Sequence, residues 1–207
     1  MGTNAINIEI PKDIENLALP SPELITFYKN IEDRVLWIDS EIDNYCLEFA
    51  RYIIQWNKED KDIPAESRKP IKLMVTSGGG DLSTTNSIID VIKISKTPIY
   101  GYNMGLAASG ACFIFMACHK RFTLPKASFL IHQGSAENIS GTFEQILLYV
   151  HEYQRQIEEL AQYILENSSI DEETLEENIT SEWYMDSETA VRFGVCDFVI
   201  KSIDEII

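Results

Sequence analysis

Ile71-Lys72-Leu73-Met74-Val75, running straight into Thr76-Ser77-Gly78-Gly79-Gly80 and then into the segment Asp81 to Ser95, is the stretch that decides the fold class. A short apolar run with β-branched ends reads as a buried strand, and three consecutive glycines break it. Ile88, Ile89 and Ile92 then recur at helical spacing. The same unit precedes it, with Arg34-Val35-Leu36-Trp37-Ile38 as the strand and Tyr45 to Trp56 as the helix, apolar at Leu47, Phe49, Ile53 and Ile54. The charged connection Asn57 to Lys69 separates the two units. The unit follows once more as the strand Ile99-Tyr100-Gly101, the turn Gly105-Leu106-Ala107-Ala108-Ser109-Gly110-Ala111 and the apolar helix Cys112 to Ala117. Strand, tight glycine turn and helix in alternation indicate an α/β fold with largely parallel strands.

Towards the C-terminus two further strands are expected, Arg121-Phe122-Thr123-Leu124 and Ser128-Phe129-Leu130-Ile131, with Pro125 at the turn between them. A long amphipathic helix follows from Thr142 to Glu166, with Phe143, Ile146, Leu147, Val150, Ile157, Ala161 and Ile164 as its apolar stripe. At 1.5 Å per residue it spans roughly 36 Å, enough to project from a compact domain. Asn167 is its expected stop. Ser169 with Glu172 fits a capping box opening a short helix. Asp186 or Ser187 is placed to cap a helix from Glu188 to Phe193, which Gly194 ends, and Asp197-Phe198-Val199-Ile200 reads as the last strand.

The chain of 207 residues is 45% hydrophobic, enough for one substantial core and short for two, so a single domain is expected over residues 20–207. Residues 1–19 have no clear period, and read as a segment that is mobile or ordered only against a neighbouring subunit. A net charge of -16 argues against nucleic acid or an anionic membrane surface as a partner. No apolar stretch approaches the roughly 20 residues that span a bilayer, and the first ten residues lack the parts of a signal peptide. Cys46, Cys112, Cys118 and Cys196 form no C-x-x-C pair, which suits reduced, buried thiols in a cytoplasmic protein.

Ser109, among small residues where a helix begins, has the setting of a nucleophile that a substrate carbonyl can approach to about 3 Å. The same smallness also suits close packing of a helix on a sheet. Of the three histidines, His119 and His151 lie among charged and polar neighbours and read as solvated. His132 ends an apolar strand and precedes the polar stretch Gly134 to Asn138. It is therefore the candidate base, although strand-end histidines also serve as hydrogen-bonded structure. Gly78-Gly79-Gly80 presents bare backbone N–H groups, as in oxyanion holes and anion-binding turns. A tight turn with positive φ is the alternative. The G-x-x-x-x-G-K-[ST] phosphate loop is excluded because no lysine follows before Lys93.

Five motifs in unbroken order, Thr76-Ser77-Gly78-Gly79-Gly80, Met104 to Ala111, Lys120 to Pro125, Ile131-His132-Gln133 and Ala190 to Asp197, strongly resemble the proteolytic subunit of the Clp protease. The likeness runs from about Leu24 to about Ile200, with the usual boundary error. It implies a crotonase-like ββα superhelix with a long projecting handle helix, and a serine endopeptidase that cleaves unfolded polypeptides inside a chamber. The chamber would be a ring homo-oligomer, a heptamer pairing to a tetradecamer, served by a separate AAA+ ATPase unfoldase. Neither a cofactor nor a metal is implied. Carried over by position, Ser109 is the nucleophile and His132 the base. Gly79 and Gly110 supply the oxyanion N–H groups.

Several positions depart from the family pattern. Gly78 replaces the proline of S-P-G-G, and Gly110 replaces the methionine after the nucleophile. Glu182 stands where the family has its catalytic aspartate, with Asp186 as the rival acid, and Ser181 replaces the arginine of the ring-to-ring contact. These changes keep open a weak or inactive subunit of a mixed ring, and the shared fold keeps open a crotonase-type acyl-CoA enzyme. The Ser109 and His132 pair disfavours the latter.

Overall fold

The computed structural model describes residues 21–135 and 139–207. The expected N-terminal segment, residues 1–19, lies outside them, as do positions 136–138 of the polar stretch after His132. The described residues divide into two units, 21–33 and 34–207. In the first, helix α1 (Pro22–Glu32) starts where the Ser21 hydroxyl accepts from the Leu24 N–H and Pro22 takes the first helical position, needing no donor. Sequence reading did not anticipate this helix.

The second unit is built on a seven-stranded sheet. Strands β1 (Val35–Ile38), β2 (Ile71–Ser77), β3 (Ile99–Ala108), β4 (Lys120–Thr123) and β7 (Phe198–Val199) lie side by side and parallel in that order. The repeated unit is visible in α2 (Leu47–Glu59), α3 (Leu82–Ile94) and α4 (Gly110–Met116), which connect successive parallel strands as crossovers. Helix α4 is buried along its whole length, which is why Cys112 to Met116 carries no polar side chain. All four cysteines are free and buried, as expected.

Strand β3 is longer than expected: it continues through Met104 and Gly105 to Ala108. Its first half pairs with β4 and its second half, Leu106–Ala108, pairs with β5 (Ser128–Ile131). Asn103 stands at this fork, fully buried. Its side-chain amide donates to the Ser128 carbonyl at 2.9 Å and its side-chain oxygen accepts the Gly105 N–H at 3.0 Å. The backbone groups freed where one neighbour strand gives way to another are thereby satisfied. Strand β6 (Trp183–Asp186), which the residue pattern did not announce, adds to β5 antiparallel.

Helix α5 (Phe143–Glu166) has the expected bounds, with a capping box made by Thr142 and Gln145 and its end at Asn167. Only Leu160 and Ile164 of this helix are buried, whereas Phe143 is 71% and Leu148 69% exposed. The next helix, α6 (Glu172–Ile179), corrects the expectation at Ser169: the cap is Asp171, whose carboxylate accepts the Thr174 N–H at 2.8 Å. Ser169 lies two residues before this cap, where its N–H donates to the Phe193 carbonyl at 2.7 Å. Helix α7 (Ser187–Arg192) is capped by Asp186, and Gly194 ends it at φ 68°.

Two charge pairs fix the periphery. Arg121 binds Asp197 through Nη2 at 2.6 Å, and its Nη1 donates to the Asn167 and Gly194 carbonyls, tying β4 to the ends of α5 and α7. Arg34 grips the buried Asp60 with both terminal nitrogens, at 2.6 and 2.8 Å, while the Thr97 hydroxyl donates to the same carboxylate. The Arg34 guanidinium holds the Asp60 carboxyl below its ordinary range. That contribution is full above the unfolded carboxylate pKa of about 3.9 and is lost as pH falls through the lower folded value. Asp60→Ala should cost about 3–5 kcal/mol at pH 7, because it strands a largely buried guanidinium. Urea unfolding at pH 7 and pH 3 measures both effects, the difference between wild type and variant shrinking at the lower pH.

Candidate active site

The ends of β2 and β3 set the site. After Ser77 the chain turns through Gly79 at φ 95° and Gly80 at φ 154°. Ile42 pins this turn: its N–H donates to the Gly79 carbonyl and its own carbonyl accepts the Asp81 N–H, each at 2.8 Å. Gly80 lies so close on the Ile42 backbone that no side chain fits there. The Ser77 hydroxyl braces the turn from within. It donates to the Ser40 carbonyl at 2.5 Å and accepts the Gly79 N–H at 3.1 Å.

Ser109 is the second turn. It has φ 51° and ψ −128°, a conformation that side chains with a Cβ rarely adopt, and it precedes the first residue of α4. Backbone strain of this kind, about 1–3 kcal/mol, persists only where the surroundings over-determine it, and it aims a side chain out of the strand. The surroundings do so here. The Ser109 N–H donates to the Leu130 carbonyl at 2.9 Å, extending the β3–β5 ladder, and the Ser109 carbonyl accepts from Phe113. The Gly110 N–H follows, one of the free donors at a helix start.

A cavity of about 500 Å³ lies over these turns, lined by Gly78, Gly80, Ser109, Gly110 and His132 among others. The structure thus brings together the serine and the histidine that the sequence singled out, through the Ser109–Leu130 link two residues before His132. Gly110 also faces this space. Gly79 packs against Ser109 and Gly110 with its N–H donated to the Ser77 hydroxyl, and Gly78 and Gly80 on either side of it line the cavity. The slightly larger hollow of about 610 Å³ around Arg121 and Asp197 offers no comparable chemistry. Its cysteines, Cys118 and Cys196, are held as thiols by burial, with pKa values pushed up to about 12. His119 there accepts the Ile99 N–H on Nδ1, a structural bond that its charged setting had not suggested.

The two rival acids are separated by the β5–β6 register. Ile131 pairs with Trp183, so His132 and Glu182 stand opposite each other one step beyond the last pair. Asp186 pairs with Ser128 at the far end and spends its carboxylate on the Thr189 N–H at 2.7 Å, capping α7. Four steps along the strand, about 13 Å, separate the two positions. Glu182 is exposed and accepts from the Tyr184 hydroxyl at 3.3 Å. Among the described residues, no cluster of side chains could hold a metal ion, and no helix is long and apolar enough to cross a membrane.

The glycines at the site are there for space as well as conformation. A Cβ at Gly79 would lie 2.8 Å from the Ala108 carbonyl oxygen and 2.8 Å from the Ser109 Cβ, and one at Gly110 would collide with the Thr85 hydroxyl. The second contact explains why position 110 has no side chain here: Thr85 fills the room. At Gly78 nothing lies within 4 Å. Gly79→Ala should therefore cost about 2–4 kcal/mol, from backbone strain and overpacking, and Gly78→Ala less than about 1. Thermal unfolding of the two variants checks the contrast.

A comparison with protein families finds that the Clp protease model matches residues 27–203. The ATP-dependent Clp protease proteolytic subunit 2 of Treponema denticola is 29% identical over 140 residues, 67% of this chain and 70% of that protein. Its counterpart in Treponema pallidum is 27% identical over 183 residues, 87% of this chain and 89% of that one. The structure of a point mutant of ClpP1 from Listeria monocytogenes superposes with a TM-score of 0.69 at 24% identity, over 88% of this chain and 99% of that chain.

Proposed function

The chain belongs to the Clp protease family, and from that premise we propose that it is a serine endopeptidase whose triad is Ser109, His132 and Glu182. The observation that carries the reading is the shared cavity of Ser109 and His132 with Glu182 in register across β5 and β6. Ser109 attacks the scissile carbonyl. His132 takes the hydroxyl proton and delivers it to the leaving amine, and water then releases the acyl group by the same path in reverse. Glu182 orients the imidazole and stabilises its charged form.

The tetrahedral oxyanion is held by backbone N–H groups, Gly110 on one side and the glycine turn on the other. Gly79 was the expected donor on that turn. Its bond to Ser77 favours Gly80 for the part. Substrate enters as an added strand, because main-chain hydrogen bonds tolerate many side chains.

The assembly is a ring, a heptamer pairing to a tetradecamer, that encloses unfolded polypeptides delivered by a separate AAA+ ATPase in the cytoplasm. The exposed apolar half of α5 supports it, since Phe143, Ile146, Leu147 and Val150 form a surface too apolar to leave in water. The double substitution Ile146→Asp with Val150→Asp should separate the paired rings, because it puts unpaired charge into an apolar contact. Native mass spectrometry at micromolar concentration reads the outcome; a wild type that stays monomeric contradicts the ring.

Peptide hydrolysis tests the triad. Glu182→Gln keeps the shape and removes the charge, so kcat should fall by roughly three to four orders of magnitude, whereas Asp186→Asn, an equally good helix cap, should leave turnover near wild type. The reverse ranking would move the acid to Asp186. An assembled wild type without any turnover would return the chain to the reading as a structural subunit of a mixed ring.

A further inference from the structure

Among the described residues that line the catalytic cavity there is one carboxylate, Asp81, and no lysine or arginine. Asp81 follows Gly80 directly and caps α3, its Oδ1 accepting the Thr84 N–H at 2.7 Å. Its second oxygen, Oδ2, has no partner among the described residues. Leu82, Phe113 and Leu160 make other parts of the same wall apolar.

From this arrangement we propose that Asp81 makes the cleft select polypeptides carrying a lysine or arginine side chain within two residues of the scissile bond. The proposal rests on reading the cavity as a peptidase cleft. A bound strand shuts water out of the cavity, and a carboxylate covered by a neutral side chain loses hydration without return. A long basic side chain removes that penalty, giving its charge to Oδ2 while its methylenes lie along the apolar wall. The distance along the substrate follows from the backbone. Asp81 is one Cα step, about 3.8 Å, from the glycine facing the scissile carbonyl, and extended strands advance about 3.3 Å per residue. Bulk charge gives a different signature: the net -16 attracts any basic peptide, but does not discriminate where in the peptide the cation stands.

The test uses unfolded peptides that differ only in lysine against norleucine, placed in turn at the two positions on each side of the cleaved bond. The assembled wild type should favour lysine about five- to tenfold in kcat/KM at one of these positions. Asp81→Asn retains the helix cap and should bring that ratio close to one. Asp81→Lys should turn the preference towards glutamate. Glu176→Gln, on the exposed surface of α6, should keep the wild-type ratio. The same peptides titrated onto Ser109→Ala by fluorescence anisotropy report selection without turnover. A lysine preference in binding that depends on Asp81, with no cleavage by the wild type, would uphold the selection and sink the peptidase reading. A wild-type ratio near one at all four positions, or a ratio that Asp81→Asn leaves unchanged, overturns the proposal.

Discussion

Two backbone turns in contact, Ser77 to Gly80 and Ala108 to Gly110, are the constraint on which this structure depends. The turns lie so close that a Cβ at Gly79 would strike the Ala108 carbonyl and the Ser109 Cβ, and neither turn can relax without displacing the other. Ile42 holds the first through two main-chain hydrogen bonds, and Leu130 holds the second through one. Ser109 is thereby kept at positive φ, with its strain offset by packing around it rather than by anything in its own side chain. Ser109 and the glycine turn are locked together at the C-terminal ends of the interior strands β2 and β3.

The sheet carries the remaining parts to these turns. Asn103 allows β3 to exchange β4 for β5 halfway along its length, and only because of that exchange does β5 end beside Ser109. The antiparallel addition of β6 then sets position 182 opposite 132. Ser109 and His132, distant in sequence, come to line one cavity through these strand registers and one buried amide, so their meeting is a consequence of the fold rather than of a loop.

Much of this was legible in the residues. Alternating apolar runs and glycine turns identified the parallel α/β core, and the long helix kept its expected bounds because a capping box at Thr142 and an unbroken stripe left little choice. Ser109 and His132 were marked by small or apolar neighbours. What residue patterns missed has physical reasons. Strand β6 is four residues with a mixed burial pattern, so it owes its existence to β5 rather than to its own periodicity. Strand β3 outran its expected end because Gly105, a breaker by propensity, sits at the fork where Thr76 crowds it and a larger residue would press. At Ser169 the motif lost to Asp171, two residues on, whose carboxylate accepts the Thr174 N–H. That the Gly79 N–H is bound by the Ser77 hydroxyl could not be read from the glycines themselves, because Ser77 and Ile42 shape the turn.

One departure from the family pattern fits this picture, since Thr85 fills the room that a side chain at Gly110 would need. The central claim is that Ser109 is an activated nucleophile, and covalent labelling of the assembled protein with a fluorophosphonate probe, mapped by mass spectrometry, tests it most directly. An activated serine gives one adduct, on the peptide bearing Ser109, and the His132→Ala variant gives none because the base is gone. Equal labelling of the wild type and of His132→Ala, or an adduct elsewhere with Ser109 untouched, would contradict it.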